Sequence, residues 1–177
     1  MNFIIETERL QLRKFHTSDA QKMFELNSDQ DVLQYTGDEP FESVEDARQF
    51  LENYNAYEKT GFGRWSVILK STNEFIGWCG LKYHDEGFVD IGYRFFKREW
   101  NKGYATESAR ACLEYGFKEL KLEEIIGRAA RENVASIRVF EKLNMKFQRN
   151  LDDCDGIHDA VIYRMRSESV GEDAQNL

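Results

Sequence analysis

Residues 89–107 read VDIGYRFFKREWNKGYATE, and this stretch decides the fold. Its first half is rich in β-branched and aromatic residues, which is typical of a strand. A short polar turn with one glycine, Gly103, comes next. Beyond the turn, apolar or small residues recur at helical spacing; they are Ala105, Ala109, Cys112, Leu113, Gly116, Phe117 and Leu120. The stretch therefore predicts a strand that leads through a tight turn into a helix.

A strand that leads into a helix forms a natural anion site, because the first backbone N–H groups of the helix have no partners inside it. The positive end of the helix dipole adds to the attraction. Gly103 lets the backbone approach a ligand closely, and Lys102 adds positive charge. The turn lacks both G-x-G-x-x-G and G-x-x-x-x-G-K-[ST], the two commonest phosphate loops. From the residues alone, an ordinary strand-turn-helix fits as well as a phosphate site.

Length and composition favour a single domain. With 177 residues and 41% hydrophobic content, the chain is long enough to bury a sizeable core. We expect the domain to span residues 1–166 and the acidic tail, 167–177, to be disordered, because the tail has little to bury. No apolar run approaches the roughly 20 residues that cross a bilayer, and no signal-peptide pattern begins the chain. We therefore expect no membrane partner.

Charge and cysteine content narrow the functional classes further. The formal net charge of −8 argues against direct nucleic-acid binding, which needs a basic surface. Cys79, Cys112 and Cys154 are odd in number and widely spaced, which predicts neither a disulfide framework nor a zinc site and favours a reducing cytoplasm. The three histidines have no metal-ligand spacing, so we expect no metal. The sequence does not distinguish a monomer from a homodimer.

Acidic residues are concentrated between Met23 and Glu58, where one base, Arg48, makes the net charge of the segment −9. The ten acids are Glu25, Asp29, Asp31, Asp38, Glu39, Glu42, Glu45, Asp46, Glu52 and Glu58. Solvated helix faces explain such a pattern. An alternative is an acidic wall that attracts a cationic substrate.

Periodicity predicts the element order β-α-α-β-β-β-α-β-α-β-β along the chain. The first strand is expected near residues 7–15, and a helix capped by Thr17 or Ser18 near 18–27. Ser43 opens a second helix, which Gly61 ends. The later elements are expected at 64–69, 75–83, 89–96, 104–120, 124–129, 133–143, 145–149 and 160–165.

Four segments together resemble the GCN5-related N-acetyltransferases (GNAT), in particular the branch that acetylates ribosomal proteins at an N-terminal alanine. Residues 100–107, WNKGYATE, are similar to the superfamily's pyrophosphate signature, Gln/Arg-x-x-Gly-x-Gly/Ala, with Trp100 in the first position. The other segments are TERLQLR (7–13), IGY (91–93) and NVASIRVFEKLNMKF (133–147). The resemblance implies an α+β fold. Its central sheet would be mixed and mostly antiparallel, with about seven strands, about four flanking helices and a splay at the cofactor site.

The resemblance also implies acetyl-CoA as the acyl donor. Its pyrophosphate would lie on the backbone amides of the turn, which are those of Asn101, Lys102, Gly103, Tyr104, Ala105 and Thr106. Its pantetheine arm would follow the strand edge near Phe95, Phe96 and Lys97. Asn133 and Ser136 would contact the arm or the sulfur. Purely local roles, as a helix N-cap and a first-turn residue, fit these two residues as well.

Acetyl transfer to an amine requires a base, because an alkylamine has a pKa near 10 and an α-amine near 8. Asp90 is the first candidate, since the family often has an acid, usually Glu, just before Ile-Gly-Tyr. A solvent-exposed charge on an alternating strand is the simpler explanation of Asp90. Asp152 and Asp153, in the last hairpin, are the second candidates. A backbone N–H near Phe95 would stabilise the oxyanion.

One position departs from the family pattern. Many superfamily members have a tyrosine seven residues after the asparagine, as the acid that protonates the leaving thiolate, and here that position is Phe140. Ser136 is the nearest hydroxyl candidate. Alternatively the thiolate leaves unassisted, because a thiol has a pKa of only about 8.5.

The sequence thus predicts a cytoplasmic, acetyl-CoA-dependent N-acetyltransferase whose acceptor is a cationic primary amine. A protein N-terminus is the leading acceptor, followed by polyamines and aminoglycoside-like small molecules. A non-catalytic module that binds CoA is the alternative from another class.

Overall fold

A computed structural model describes residues 2–154 and 156–167, so the tail from residue 168 onward, where we expect disorder, lies outside the described residues. Eight strands form one open sheet in the order β1-β2-β3-β4-β5-β6-β8-β7. The strands are β1 (Ile5–Glu6), β2 (Leu10–Arg13), β3 (Arg64–Leu69), β4 (Glu74–His84), β5 (Phe88–Phe95), β6 (Glu124–Ala130), β7 (Lys146–Cys154) and β8 (Ile157–Arg166). The α-helices are α1 (Ala20–Ser28), α2 (Gln30–Leu33), α3 (Val44–Glu52), α4 (Ala56–Thr60), α5 (Tyr104–Lys118) and α6 (Val134–Lys142).

The β5–β6 pair is parallel, and the two strands separate after a short contact. Their pairing joins Asp90 to Ile126 and Ile91 to Gly127, although β5 continues to Phe95. The neighbouring pairs, β4–β5 and β6–β8, are antiparallel and extend over most of each strand. The sheet is therefore mixed, mostly antiparallel and splayed between β5 and β6, which confirms the predicted fold class.

Two apolar clusters hold helices against the sheet. The larger cluster packs α5 and α6 on β3 to β6, with Trp65, Leu81 and Ile125 almost inaccessible to solvent. The smaller cluster joins α1 and α3 to β3 and β4 through residues that include Met23 and Leu26. The helices of the two clusters thus cover both faces of the sheet, and the splay opens a cleft between β5 and β6.

The helix α5 begins directly after Gly103, which has a positive φ of 83°. Such a backbone conformation favours glycine, because a side chain would be strained there. Further along α5, Gly116 lies so close to the sheet that an added Cβ would come within 2.9 Å of both Ile125 and Leu81. These two glycines fix where the helix starts and how closely it packs.

The structure divides the helix predicted between Ser43 and Gly61 into α3 and α4. The break consists of Asn53, Tyr54 and Asn55, and asparagine has a low helix propensity. The break lets the hydroxyl of Tyr54 accept a hydrogen bond from the backbone N–H of Arg64 at 2.7 Å. A contact to β3 therefore replaces one turn of helix.

Three further features extend the sequence prediction. The short strand β1 brings the strand count to eight, and α2 adds a turn of helix before the loop at Gly37. The final hairpin is longer than expected, since β7 continues to Cys154 and β8 already begins at Ile157. The widely spaced Cys79 and Cys112 meet in the core with their sulfurs 3.7 Å apart as free thiols.

Candidate active site

A cleft of about 480 Å³ opens where β5 and β6 separate. Its walls come from the end of β5, the turn before α5, the start of α6, and the segment around α2. Of the residues predicted to bind the cofactor, eight line this cleft; they are Phe95, Asn101, Gly103, Tyr104, Ala105, Thr106, Asn133 and Ser136. The structure therefore brings together segments that are distant in the sequence.

The turn between β5 and α5 leaves its backbone donors available. The N-cap of α5 is Gly103, which has no side chain, and no cap hydrogen bond is formed there within residues 2–154 and 156–167. The first N–H groups of a helix have no acceptors within the helix, so they and the dipole can attract an anion here. The indole Nε1 of Trp100 donates to the backbone oxygen of Phe95 at 3.0 Å and ties the turn to the end of β5.

A clip from the N-terminal hairpin, formed by Thr7 and Arg9, holds the same turn from its outer side. Arg9 Nη1 donates to the backbone oxygen of Lys102 at 2.9 Å, and its guanidinium lies over the ring of Tyr104. Glu107 accepts from the Thr7 hydroxyl at 2.6 Å and from Arg9 Nε at 2.6 Å. Burial alone would raise the pKa of Glu107, but these hydrogen bonds outweigh it and hold the pKa below its usual value. The sequence prediction missed this clip, although TERLQLR contains its residues.

The start of α6 forms the opposite wall of the cleft. The side-chain oxygen of Asn133 accepts from the backbone N–H of Ser136 at 3.1 Å, which makes Asn133 the N-cap of the helix. Tyr93 reaches across from β5, and its hydroxyl donates to the backbone oxygen of Ser136 at 3.3 Å. Asn133 and Ser136 both line the cleft, so the local role and the predicted cofactor contact are compatible.

Asp90, the first candidate for the base, lies outside the lining of the cleft. It is 4% exposed, and its oxygens pair with Arg64 at 2.6 Å and Arg128 at 2.8 Å, with His84 Nε2 at 3.2 Å. Burial alone would raise the pKa of Asp90. Attraction to Arg64, the hydrogen bond from His84 and attraction to Arg128 outweigh it and hold the pKa well below its usual range. Such a carboxylate is a weak proton acceptor, so the assignment of Asp90 as base stays a prediction that this geometry disfavours.

The other predicted residues lie at the margins of the cleft or away from it. Phe96 is buried in the smaller core cluster. Lys97 forms an ion pair with Asp31, and Lys102 pairs with Glu99 at 3.0 Å.

The second candidates for the base lie outside the cleft lining, and so does Phe140. Asp152 and Asp153 are exposed on β7, where Asp153 lies 2.9 Å from His158 Nδ1. Phe140 is 1% exposed, and its ring packs against Gly127 at the base of the splay.

Among residues 2–154 and 156–167, no helix is long and apolar enough to cross a membrane. Within the same ranges, no group of three or more His, Cys, Asp or Glu side chains is arranged to hold a metal ion.

Comparison with known proteins gives the family. The family model of the GNAT acetyltransferase domain matches residues 9–146. The chain belongs to the GNAT acetyltransferases. An uncharacterized N-acetyltransferase of Bacillus licheniformis, p20, is 35% identical over 150 residues, which cover 83% of this chain and 84% of p20. The crystal structure of a GNAT-family acetyltransferase from Bacillus anthracis has a TM-score of 0.78 at 36% identity and covers 92% of this chain and 97% of that one.

Two more distant GNAT proteins carry names that describe a substrate. The ribosomal L7/L12 α-N-protein acetyltransferase RimL, solved in complex with coenzyme A, has a TM-score of 0.77 at 17% identity and covers 93% of this chain and 98% of that one. At that identity it supports the fold alone. The spermidine N(1)-acetyltransferase of Escherichia coli K12 is 24% identical over 152 residues, 80% of this chain and 75% of the relative. The predicted enzyme class, an acyltransferase of the N-acetyltransferase type, is confirmed by family membership. GNAT enzymes use acetyl-CoA as the donor.

Proposed function

We propose that this protein transfers an acetyl group from acetyl-CoA, bound in the cleft between β5 and β6, to the α-amine of a protein N-terminus. The observation that carries the proposal is the uncapped N-terminus of α5 at the mouth of the splay. There a diphosphate would meet free backbone N–H groups, while the unpaired edge of β5 extends from the turn toward the point where the strands separate.

The residues present fit the donor. Gly103 leaves the approach to the backbone open, and Asn101 also has a positive φ, 62°, so that the turn bends tightly around the expected phosphates. The start of α6, with Asn133 and Ser136, would contact the pantetheine arm from the other side. When bound, acetyl-CoA supplies the activated acyl group, and the chain holds it beside the amine; much of the rate would come from this positioning.

The carboxylates of the cleft favour an acceptor that loses its proton easily. Among the described residues that line the cleft, the carboxylates are Asp31 and Glu99, and both form ion pairs. Without a free base, the reaction depends on the neutral fraction of the amine. That fraction is more than about a hundredfold larger at neutral pH for an α-amine, with a pKa near 8, than for an alkylamine, with a pKa near 10.4.

A polyamine is the second candidate acceptor. The acidic segment, residues 23–58, supplies negative charge near the cleft, and Asp31 belongs to both. The similarity to the spermidine N(1)-acetyltransferase favours the same class of compound.

An acceptor panel separates the candidates. The panel contains a peptide with a free α-amine, the same peptide with its α-amine blocked and a lysine present, and spermidine. Each acceptor is incubated with acetyl-CoA, and release of the CoA thiol is followed. We expect turnover with the free α-amine to exceed turnover with the blocked peptide by at least tenfold. Turnover with spermidine alone would replace the leading acceptor with the second. CoA binding without turnover on any amine would indicate a non-catalytic module.

A further inference from the structure

Tyr93 occupies a distinctive place on β5. The pairing of β5 with β6 ends at Ile91, so Tyr93 is the first side chain beyond it that points toward α6. Its ring centre lies 6.3 Å from that of Phe140, and Tyr93 lines the cleft beside Ser136. A phenol therefore stands at the point where the proposed thioester would meet the separated strands.

The hydroxyl of Tyr93 is only weakly engaged. Among the described residues its one hydrogen-bond partner is the backbone oxygen of Ser136, at 3.3 Å. This distance exceeds the range of about 2.5–3.0 Å that is usual for an O–H donor and an oxygen acceptor. The hydrogen can therefore turn to a better acceptor that enters the cleft, and a developing thiolate is such an acceptor.

The surroundings keep this hydroxyl protonated. Burial raises the pKa of Tyr93 above its usual value, and the opposing effect of the Ser136 contact is smaller. Of the other nearby candidates, Phe140 has no hydroxyl, and the Ser136 alcohol is a much weaker acid than a phenol. Tyr93 is thus a protonated phenol in the cleft, beside the point where β5 and β6 separate.

We propose that Tyr93 donates its phenolic proton to the departing sulfur of CoA, an inference that rests on the proposed acetyl transfer. After the amine nitrogen has bonded to the thioester carbon, the C–S bond breaks and its electron pair goes to sulfur. The sulfur takes the proton of Tyr93 and leaves as a free thiol. The phenolate regains a proton from the nitrogen of the adduct, directly or through water. The products are the amide and CoA, and Tyr93 is restored.

The test compares Tyr93→Phe with Tyr83→Phe. Both substitutions remove only a hydroxyl, but Tyr83 is 47% exposed near the end of β4 and is not among the residues that line the cleft. We expect Tyr93→Phe to slow the single-turnover rate of acetyl transfer by about 100-fold, the scale of general acid catalysis. CoA affinity measured by calorimetry should stay within twofold. The solvent deuterium isotope effect on that rate should fall, whereas Tyr83→Phe should match the wild type in all three.

Three results would overturn the inference. One is a Tyr93→Phe rate within twofold of the wild type, which leaves the proposed acetyl transfer intact. Another is a slower rate with an unchanged isotope effect and weakened CoA affinity, which would make Tyr93 a support for α6. The third is a wild-type protein that transfers acetyl to no amine, which would reject the proposed function together with this inference.

Discussion

At the scale of single residues, Asp90 is a candidate base, but its ion pairs indicate that its carboxylate stabilises the fold. We predict that Asp90→Asn lowers the free energy of unfolding at pH 7 by about 3 kcal/mol or more, because the buried ion pairs of the Asp90 carboxylate with Arg64 and Arg128 are lost. Urea denaturation measures this change. The exposed Asp153→Asn is the matched control and should change stability by less than about 0.5 kcal/mol.

The stability that the ion pairs of Asp90 contribute should change with pH in a definite direction. The pKa of Asp90 is lower in the folded protein than in the unfolded chain. The ion pairs therefore stabilise the fold above about pH 4, and this contribution is lost as the pH falls further. The stability gap between wild type and Asp90→Asn should narrow below that pH. A variant of unchanged stability that binds CoA but no longer turns over would instead identify Asp90 as the base.

At the scale of elements, the unit β5-turn-α5 can be tested by two glycine substitutions that separate the effect of backbone strain from the effect on ligand binding. Gly103 and Gly61 both have a positive φ, 83° and 82°, and both lie at a helix end, but only Gly103 lines the cleft. We predict that Gly103→Val weakens CoA binding at least tenfold in calorimetry, because the strained backbone and a Cβ only 3.3 Å from Arg9 Nη2 would displace the backbone amides that hold the ligand. Gly61→Val carries the same backbone strain, and an added Cβ there has nothing within 4 Å, so CoA affinity should stay within twofold. Equal losses in both variants would mean that strain alone causes the effect.

The same unit shows what its sequence predicts and why. Strand, turn and helix depend on neighbours in the chain, so 89–107 predicts them, and the uncapped amides follow from Gly103 as N-cap. The ion pairs of Asp90 could not be predicted in this way, because only the folded sheet brings Arg64 on β3 and Arg128 on β6 next to it. The clip of Arg9 on the turn is equally non-local. Tyr93 was visible in the motif IGY, but its closeness to α6 needed the splay.

At the scale of the whole molecule, the acidic segment, residues 23–58, carries a net charge of −9, more negative than the −8 of the whole chain. Within it, Asp38 pairs with Arg94, a cleft residue, while Glu39 and Glu42 are exposed in the loop that leads to α3. If the acidic segment attracts a cationic acceptor, the attraction acts over a distance comparable to the Debye length. That length shrinks from more than 10 Å at 50 mM salt to about 4 Å at 500 mM.

We therefore predict that raising NaCl from about 50 to about 500 mM increases the KM of a lysine-rich acceptor peptide severalfold, with little change in kcat. A peptide with the same free α-amine but neutral side chains is the matched substrate, and its KM should change less than twofold. The double variant Glu39→Gln/Glu42→Gln should raise the KM of the lysine-rich peptide at low salt and flatten its salt dependence. Equal salt responses of the two peptides would show that residues 23–58 are simply a solvated surface, and the choice of acceptor would then rest on the chemistry of the cleft.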